Sequence, residues 1–281
     1  MNKRTFFEEA DIKAFEPEAK IGLLATLNPE GWPHLTFLSS MRAKDHRTLM
    51  FGQFTEGLSK VHVRDNPRTG FLIMTPDKRL WRGKARWTHS ARQGEDFEMY
   101  NNQPMFRYNA YFGINTVHYL DLVETGGREN LPMAAIIAAA VLTRLARTGP
   151  PAETERILKP WAEDLFNKMG ALKFLAWVDR DGFPKIVPVV QGQAWGSRGL
   201  VFSAFAYGPE LSDLTPGLKV AVFGLFIDNM EDVLVRGEFA GFSRRRGLRI
   251  GRVDLDWVYN AMPPKQGQIY PVQELKPVVN F

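Results

Sequence analysis

Three side chains suited to holding an anion, Thr55, Ser59 and Lys60, fall close together in the stretch GQFTEGLSKVHVRDNP, residues 52–67. The apolar run Thr48-Leu49-Met50-Phe51 precedes them, so a strand is expected to end in a loop that opens a short helix near Leu58–Arg64. Free N–H groups in the first turn of a helix carry partial positive charge and bind phosphate oxygens. Hydroxyls add neutral donors there, and a lysine adds a point charge that strengthens the hydrogen bonds. The competing reading is structural: Thr55 or Ser59 caps the helix and Lys60 is a solvated surface cation.

The elements that must position this loop occur twice. Leu24-Ala25-Thr26-Leu27 runs through a polar turn into Gly31-Trp32-Pro33, and Leu175-Ala176-Trp177-Val178 runs likewise into Gly182-Phe183-Pro184, 151 positions later. The same offset carries Leu49-Met50-Phe51 onto Leu200-Val201-Phe202, and Leu80-Trp81-Arg82-Gly83 finds its echo in Leu234-Val235-Arg236-Gly237. Landmarks repeated in one order at a nearly constant spacing indicate a tandem duplication. The second copy reads Leu211-Ser212-Asp213 where the first reads Leu58-Ser59-Lys60. A carboxylate facing a phosphate repels it, so the second loop is expected to be silent.

Each copy is mostly strand. Ile21–Leu27, His34–Ser40, Thr48–Phe51, Thr69–Met74 and Leu80–Thr88 are short apolar runs separated by Gly, Pro, Asn and Asp, the spacing of a small antiparallel barrel. A last strand, Val117–Leu122, has its counterpart in Ile250–Leu255, which makes the first copy longer between its last two strands. That insertion holds Tyr100, Phe106, Arg107, Tyr108, Tyr111 and Phe112. It is expected either to cover a flat ligand or to serve as packing surface. Between the copies, Ala134–Arg147 reads as a helix stopped by Gly149-Pro150-Pro151. Pro160 opens another, with Trp161, Leu165 and Met169 expected on one face. The expected domains are therefore 1–129, a helical linker at 130–169, and 170–281.

Composition narrows the function classes. The 281 residues are 44% hydrophobic and 24% charged, as in an ordinary globular chain, with a formal net charge of +5. That excess suits anionic ligands and is weak support for nucleic acid. There are no cysteines, which excludes disulfides, thiolate chemistry and cysteine-ligated metals. The first residues, MNKRTFFEEADIKAFEP, mix charges without a signal-like apolar core, and no apolar stretch reaches the ~20 residues of a membrane span. A cytoplasmic protein with no membrane association is the expectation.

With the barrel pattern, the Gly-x-Pro hairpin and the T…SK…NP loop in place, the chain resembles the pyridoxamine 5′-phosphate oxidase-like family of flavin-binding split barrels. The resemblance covers residues 20–125 well and 170–260 in weaker, duplicated form. It implies a mainly β fold of two tandem FMN-binding split β-barrels joined by a helical linker. It also implies FMN as cofactor, with the phosphate on Thr55, Ser59 and Lys60, followed by Asn66-Pro67-Arg68. Ser39, Ser40, Gln53 and Phe54 would lie along the ribityl chain or ring, and Lys78 falls where relatives place a polar residue near the flavin. Two features depart from the family pattern: an arginine usual on the second strand is replaced here by Thr36–Arg42, and Lys60 to Pro67 is one residue short. No Arg-x-His occurs anywhere, so oxidation of pyridoxamine phosphate itself is not expected.

The resemblance implies a flavin-dependent oxidoreductase acting on a small-molecule substrate or a nicotinamide reductant. No catalytic acid or base is nominated. The alternatives are a deazaflavin- or haem-binding barrel, or a flavin carrier or sensor without turnover. Relatives pair two barrels around the flavin, so the fused copies are expected to imitate a dimer within one chain, with a homodimer also open.

Other constellations are weaker. The five histidines, His34, His46, His62, His89 and His118, have no metal-ligand spacing, and His62 is expected to face solvent. Asp179-Arg180-Asp181-Gly182 starts like a calcium loop but lacks the acid at its twelfth position. Arg244-Arg245-Arg246 with Arg249 and Arg252 could meet an acidic partner, although a solvated turn is commoner.

Overall fold

A computed structural model describes residues 3–104, 113–147, 149, 155–260 and 267–271. Phe106, Arg107, Tyr108, Tyr111 and Phe112 of the insertion lie outside them. The chain divides into two compact units, residues 1–132 with 176–186, and residues 133–175 with 187–281.

The short apolar runs of the first copy become β1 (Ile21–Leu27), β2 (Pro33–Phe37), β3 (Arg42–Ala43), β4 (Thr48–Gln53), β5 (Arg68–Met74), β6 (Arg79–Ala91) and β7 (Thr116–Asn130). They form an antiparallel sheet ordered β2-β1-β5-β6-β7-β4-β3. Leu24 of β1, Phe71 and Ile73 of β5, Trp81 and Ala85 of β6, Leu120 of β7 and Leu49 and Phe51 of β4 share one buried cluster. Strands far apart in the sheet order thus meet over a single core. The sheet is rolled into a barrel.

The charge-mixed N-terminal stretch contributes to this core. Helix α1 (Glu9–Phe15) presents Phe15, which meets Phe7 and Trp81 edge-on at 5.4 and 5.1 Å. Such contacts add roughly 0.5–1.5 kcal/mol each beyond area burial. The Trp81 indole N–H donates to buried Asp11 of the same helix at 2.8 Å. Helix α2 (Leu58–Asp65) follows β4, and α3 (Glu95–Asn102) lies in the insertion between β6 and β7.

The second copy supplies β8 (Leu172–Val178), β9 (Pro184–Pro188), β10 (Gln193–Ala194), β11 (Gly199–Ser203), β12 (Leu218–Phe226), β13 (Glu231–Arg245) and β14 (Leu248–Asn260), with β15 (Gly267–Tyr270) added beside β14. Read from its β9 end, this sheet runs β9-β8-β12-β13-β14-β11-β10, the same path as the first. The duplication is structural as well as sequential. Gly31 and Gly182 both adopt positive φ, 78° and 80°, in hairpins closed by equivalent bonds: Gly31 N–H to Asn28 O and Gly182 N–H to Asp179 O, both at 2.9 Å. Gly52 pairs Val117 and its counterpart Ser203 pairs Ile250.

One face of each sheet is covered differently in the two copies. In the first, Met50, Val117 and Tyr119 pack with Tyr100 of α3, with Phe97 and Met99 against them. In the second, the counterparts Val201 and Ile250 pack with Ala146 of α4 (Met133–Ala146). The expected linker helix is therefore a covering element. Helix α5 (Pro160–Asn167) buries Ala162, Leu165 and Phe166; Met169 lies beyond its end and is 73% exposed, so the expected Trp161–Leu165–Met169 face is not the buried one. Pro160 opens the helix and it ends at Asn167 after eight residues, so the stripe does not reach Met169.

Candidate functional site

Helix α2 decides between capping and ligand binding. Its N-cap is Gly57, and no side chain caps it. Ser59 is buried in the first turn and its hydroxyl has no hydrogen-bond partner among the described residues. Lys60, next to it, is 5% exposed and forms no side-chain hydrogen bond or ion pair among the described residues. Burial alone pulls the Lys60 ammonium down to about 8. A sealed hydroxyl and an uncompensated ammonium at a helix start leave two costly polar groups waiting for a partner.

Gln53, the last residue of β4, is buried and meets His118 of β7. The Gln53 Oε1 lies 2.6 Å from His118 Nε2, and the Trp87 indole N–H donates to His118 Nδ1 at 3.1 Å. His118 is fully buried and its ring stacks on Phe51, 4.8 Å between centroids and 9° from parallel. Burial, then the charges of Lys60 and Arg64, holds its pKa down at about 4. Gln53 and His118 are in direct contact, and the Lys60 charge adds to burial in keeping His118 neutral. Sequence reasoning missed His118 and Trp87, whose significance comes from strand pairing and not from any local spacing.

The other expected residues are distributed around it. Ser40 is buried, donating to the Gly52 carbonyl at 2.9 Å and accepting from the Gly52 N–H at 3.1 Å, while Tyr100 donates to the Ser40 carbonyl at 2.8 Å. Its hydroxyl is thus engaged in tying the β2–β3 turn to β4. Ser39 is half-buried in that turn. Phe54 packs beside Tyr100, and its carbonyl accepts from Asn115 at 2.7 Å. Thr55 is exposed in the bend before α2. Lys78 is not brought to this place: it sits exposed in the β5–β6 turn, where Arg79 pairs with Asn130, whereas Gln53 pairs with Thr116 at the far end of β7. The expectation for His62 is corrected. It is buried, 3.2 Å from the Thr26 hydroxyl and edge-on to His34 at 5.3 Å, because Thr26 of β1 and His34 of β2 approach that face of α2.

In the second copy the equivalent loop makes only the four-residue turn α6 (Gly208–Leu211), followed by exposed Ser212 and Asp213. The Ser212 hydroxyl donates to the Pro209 carbonyl at 2.5 Å. The calcium-like turn has a different use: Asp179 and Asp181 each lie 2.7 Å from the Lys84 ammonium, with Glu124 at 3.3 Å. Burial would lower the Lys84 pKa, but the hydrogen bonds and charges of these acids raise it. Among the described residues no group of histidines and acids could hold a metal. The arginine cluster is largely laid over aromatic rings, Arg245 and Arg252 on Trp195 and Arg249 on Phe242.

No family model matches the chain, and no curated protein does. Solved structures do match. An FMN-binding protein from Syntrophomonas wolfei is 12% identical, with 42% of this chain and 82% of that chain covered and a TM-score of 0.35. A putative pyridoxamine 5′-phosphate oxidase from Lactobacillus delbrueckii is 17% identical, covering 44% and 98% at a TM-score of 0.35. An F420 reductase is 17% identical, covering 42% and 98%, also at 0.35. The chain is similar to these proteins. Its duplication rests on its own strand order, and its site on its own geometry. No helix among the described residues is long and apolar enough to cross a membrane.

Proposed function

We propose that this chain is an FMN-binding flavoprotein, and a flavin-dependent oxidoreductase of the pyridoxamine 5′-phosphate oxidase-like kind that does not oxidise pyridoxamine phosphate. One observation carries the reading: buried Lys60 without a counter-charge among the described residues, beside the Ser59 hydroxyl at the start of α2, which has no partner among them either. A phosphate there would take the Ser59 donor and neutralise the Lys60 charge, satisfying both at once. Residues and group fit.

In this reading Ser59 and Lys60 anchor the phosphate, and Gln53 offers its amide to the rest of the cofactor. When bound, the flavin supplies hydride and electron transfer, with a nicotinamide reductant or a small-molecule substrate as its partner. His118 has both ring nitrogens engaged, so it serves neither as a general base nor as an axial ligand to haem iron. Its place is structural support of Gln53.

The test begins with the absorption spectrum of the freshly purified protein, which separates flavin, deazaflavin and haem. Equilibrium titration with FMN then compares the wild type with Lys60→Met and Asp213→Ala. Lys60→Met is expected to weaken binding at least tenfold and Asp213→Ala to leave it unchanged, since a charge-assisted hydrogen bond contributes roughly 1.5–3 kcal/mol. A colourless protein that ignores added FMN would refute the reading. Turnover with NADH or NADPH separates an enzyme from a carrier.

A further inference from the structure

The hydrogen bonds around His118 fix more than its own orientation. An indole nitrogen can only donate, so the Trp87 contact requires His118 Nδ1 to be the unprotonated acceptor. A neutral imidazole then carries its proton on Nε2. That proton must go to an acceptor, and the atom 2.6 Å away on Gln53 is therefore the amide oxygen. Amide orientation is usually ambiguous; here a donor-only neighbour two residues upstream in the chain of bonds settles it. The Gln53 NH2 group is left facing away from His118, with no acceptor among the described residues.

We infer that His118 is a positioning residue that makes Gln53 an obligate hydrogen-bond donor to the bound ligand. The site then favours a ligand edge bearing a carbonyl oxygen or an unprotonated ring nitrogen and disfavours a donor there. The inference rests on the FMN reading for the identity of the ligand, but the orientation of the amide does not. Three features hold the relay: Phe51 stacks on the imidazole, Trp87 occupies Nδ1, and burial, then the Lys60 and Arg64 charges of α2, opposes a second proton on the ring.

Nitrogen-15 NMR of the ligand-free protein tests the first half, with the His118 ring signals assigned by their loss in His118→Gln. The Nε2–H tautomer is expected, unchanged from pH 8 to about 5. An Nδ1–H tautomer, or titration near an ordinary histidine pKa, would overturn the inference. FMN titration tests the second half. His118→Leu frees the amide to turn and is expected to weaken FMN binding about tenfold, the equivalent of one hydrogen bond. His118→Gln can still accept from Trp87 and donate to Gln53, and should stay within about threefold of wild type. Gln53→Glu keeps the bond to His118 but replaces the donor by an acceptor, and should weaken binding at least tenfold. If His118→Leu fails to fold, His118→Gln and Gln53→Glu decide between them. Equal affinity of Gln53→Glu and wild type would overturn the donor role. A wild-type protein that shows the expected tautomer yet binds no FMN would overturn the cofactor reading and leave the amide orientation standing.

Discussion

Lys60 costs the empty protein stability. Its pKa falls from 10.5 to about 8, which corresponds to about 3 kcal/mol of unfavourable burial while the group is charged. Between pH 8 and 10.5 the unfolded chain holds more protons than the folded one at this residue, so its penalty is relieved as pH rises through that window. Lys60→Met is accordingly expected to raise the melting temperature of the ligand-free protein at pH 7 by several degrees, and to flatten the rise above pH 8. Thermal unfolding checks both. Lys20 and Lys173 are lowered to about 8 as well, Lys20 by burial, then Arg42, and Lys173 by burial, so only the difference between mutant and wild type isolates Lys60. Binding has the opposite slope: a phosphate prefers the charged form, so FMN affinity should fall as pH climbs above about 8. Calorimetric titration across that range would show it. The sequence made Lys60 stand out because its duplicate is an aspartate. It gave no such signal for His118 or His62, whose partners lie on other strands.

Among the elements, the repeated Arg-Gly pair has a physical reason. Gly83 and Gly237 each sit at a register shift, and a Cβ on either would run into a backbone carbonyl of the neighbouring strand, that of Glu124 or Asp254. Gly237→Ala is expected to destabilise by roughly 2 kcal/mol or more, as strain from overpacking does, measured by chemical denaturation. The strand cores were legible as short apolar runs between turn residues, and β1 matches its expected bounds. The lengths of β6 and β7 were not. Exposed His89 and Ser90 of β6 and Arg128 of β7 look like loop residues, since these strands run on past the core they share. Of the two roles expected for the aromatic insertion, its described part takes the packing one. Tyr100 is a buried core residue whose hydroxyl docks α3 onto the Ser40 carbonyl, and Tyr100→Phe should cost about 1 kcal/mol.

For the whole molecule, duplication followed by divergence predicts one FMN per chain. A titration at protein concentration well above Kd should break at a ratio of one; a break at two would restore the second loop as a site. The order of strands was readable from the repeat, but the distribution of the halves was not, because Asp179 and Asp181 are named by sequence as members of the second copy and pack with the first unit. Lys84 depends on them. The second copy thus carries two of the three acids that face Lys84. A chain ended after residue 132 would leave Lys84 with Glu124 alone, and is expected to fold less stably than the full chain.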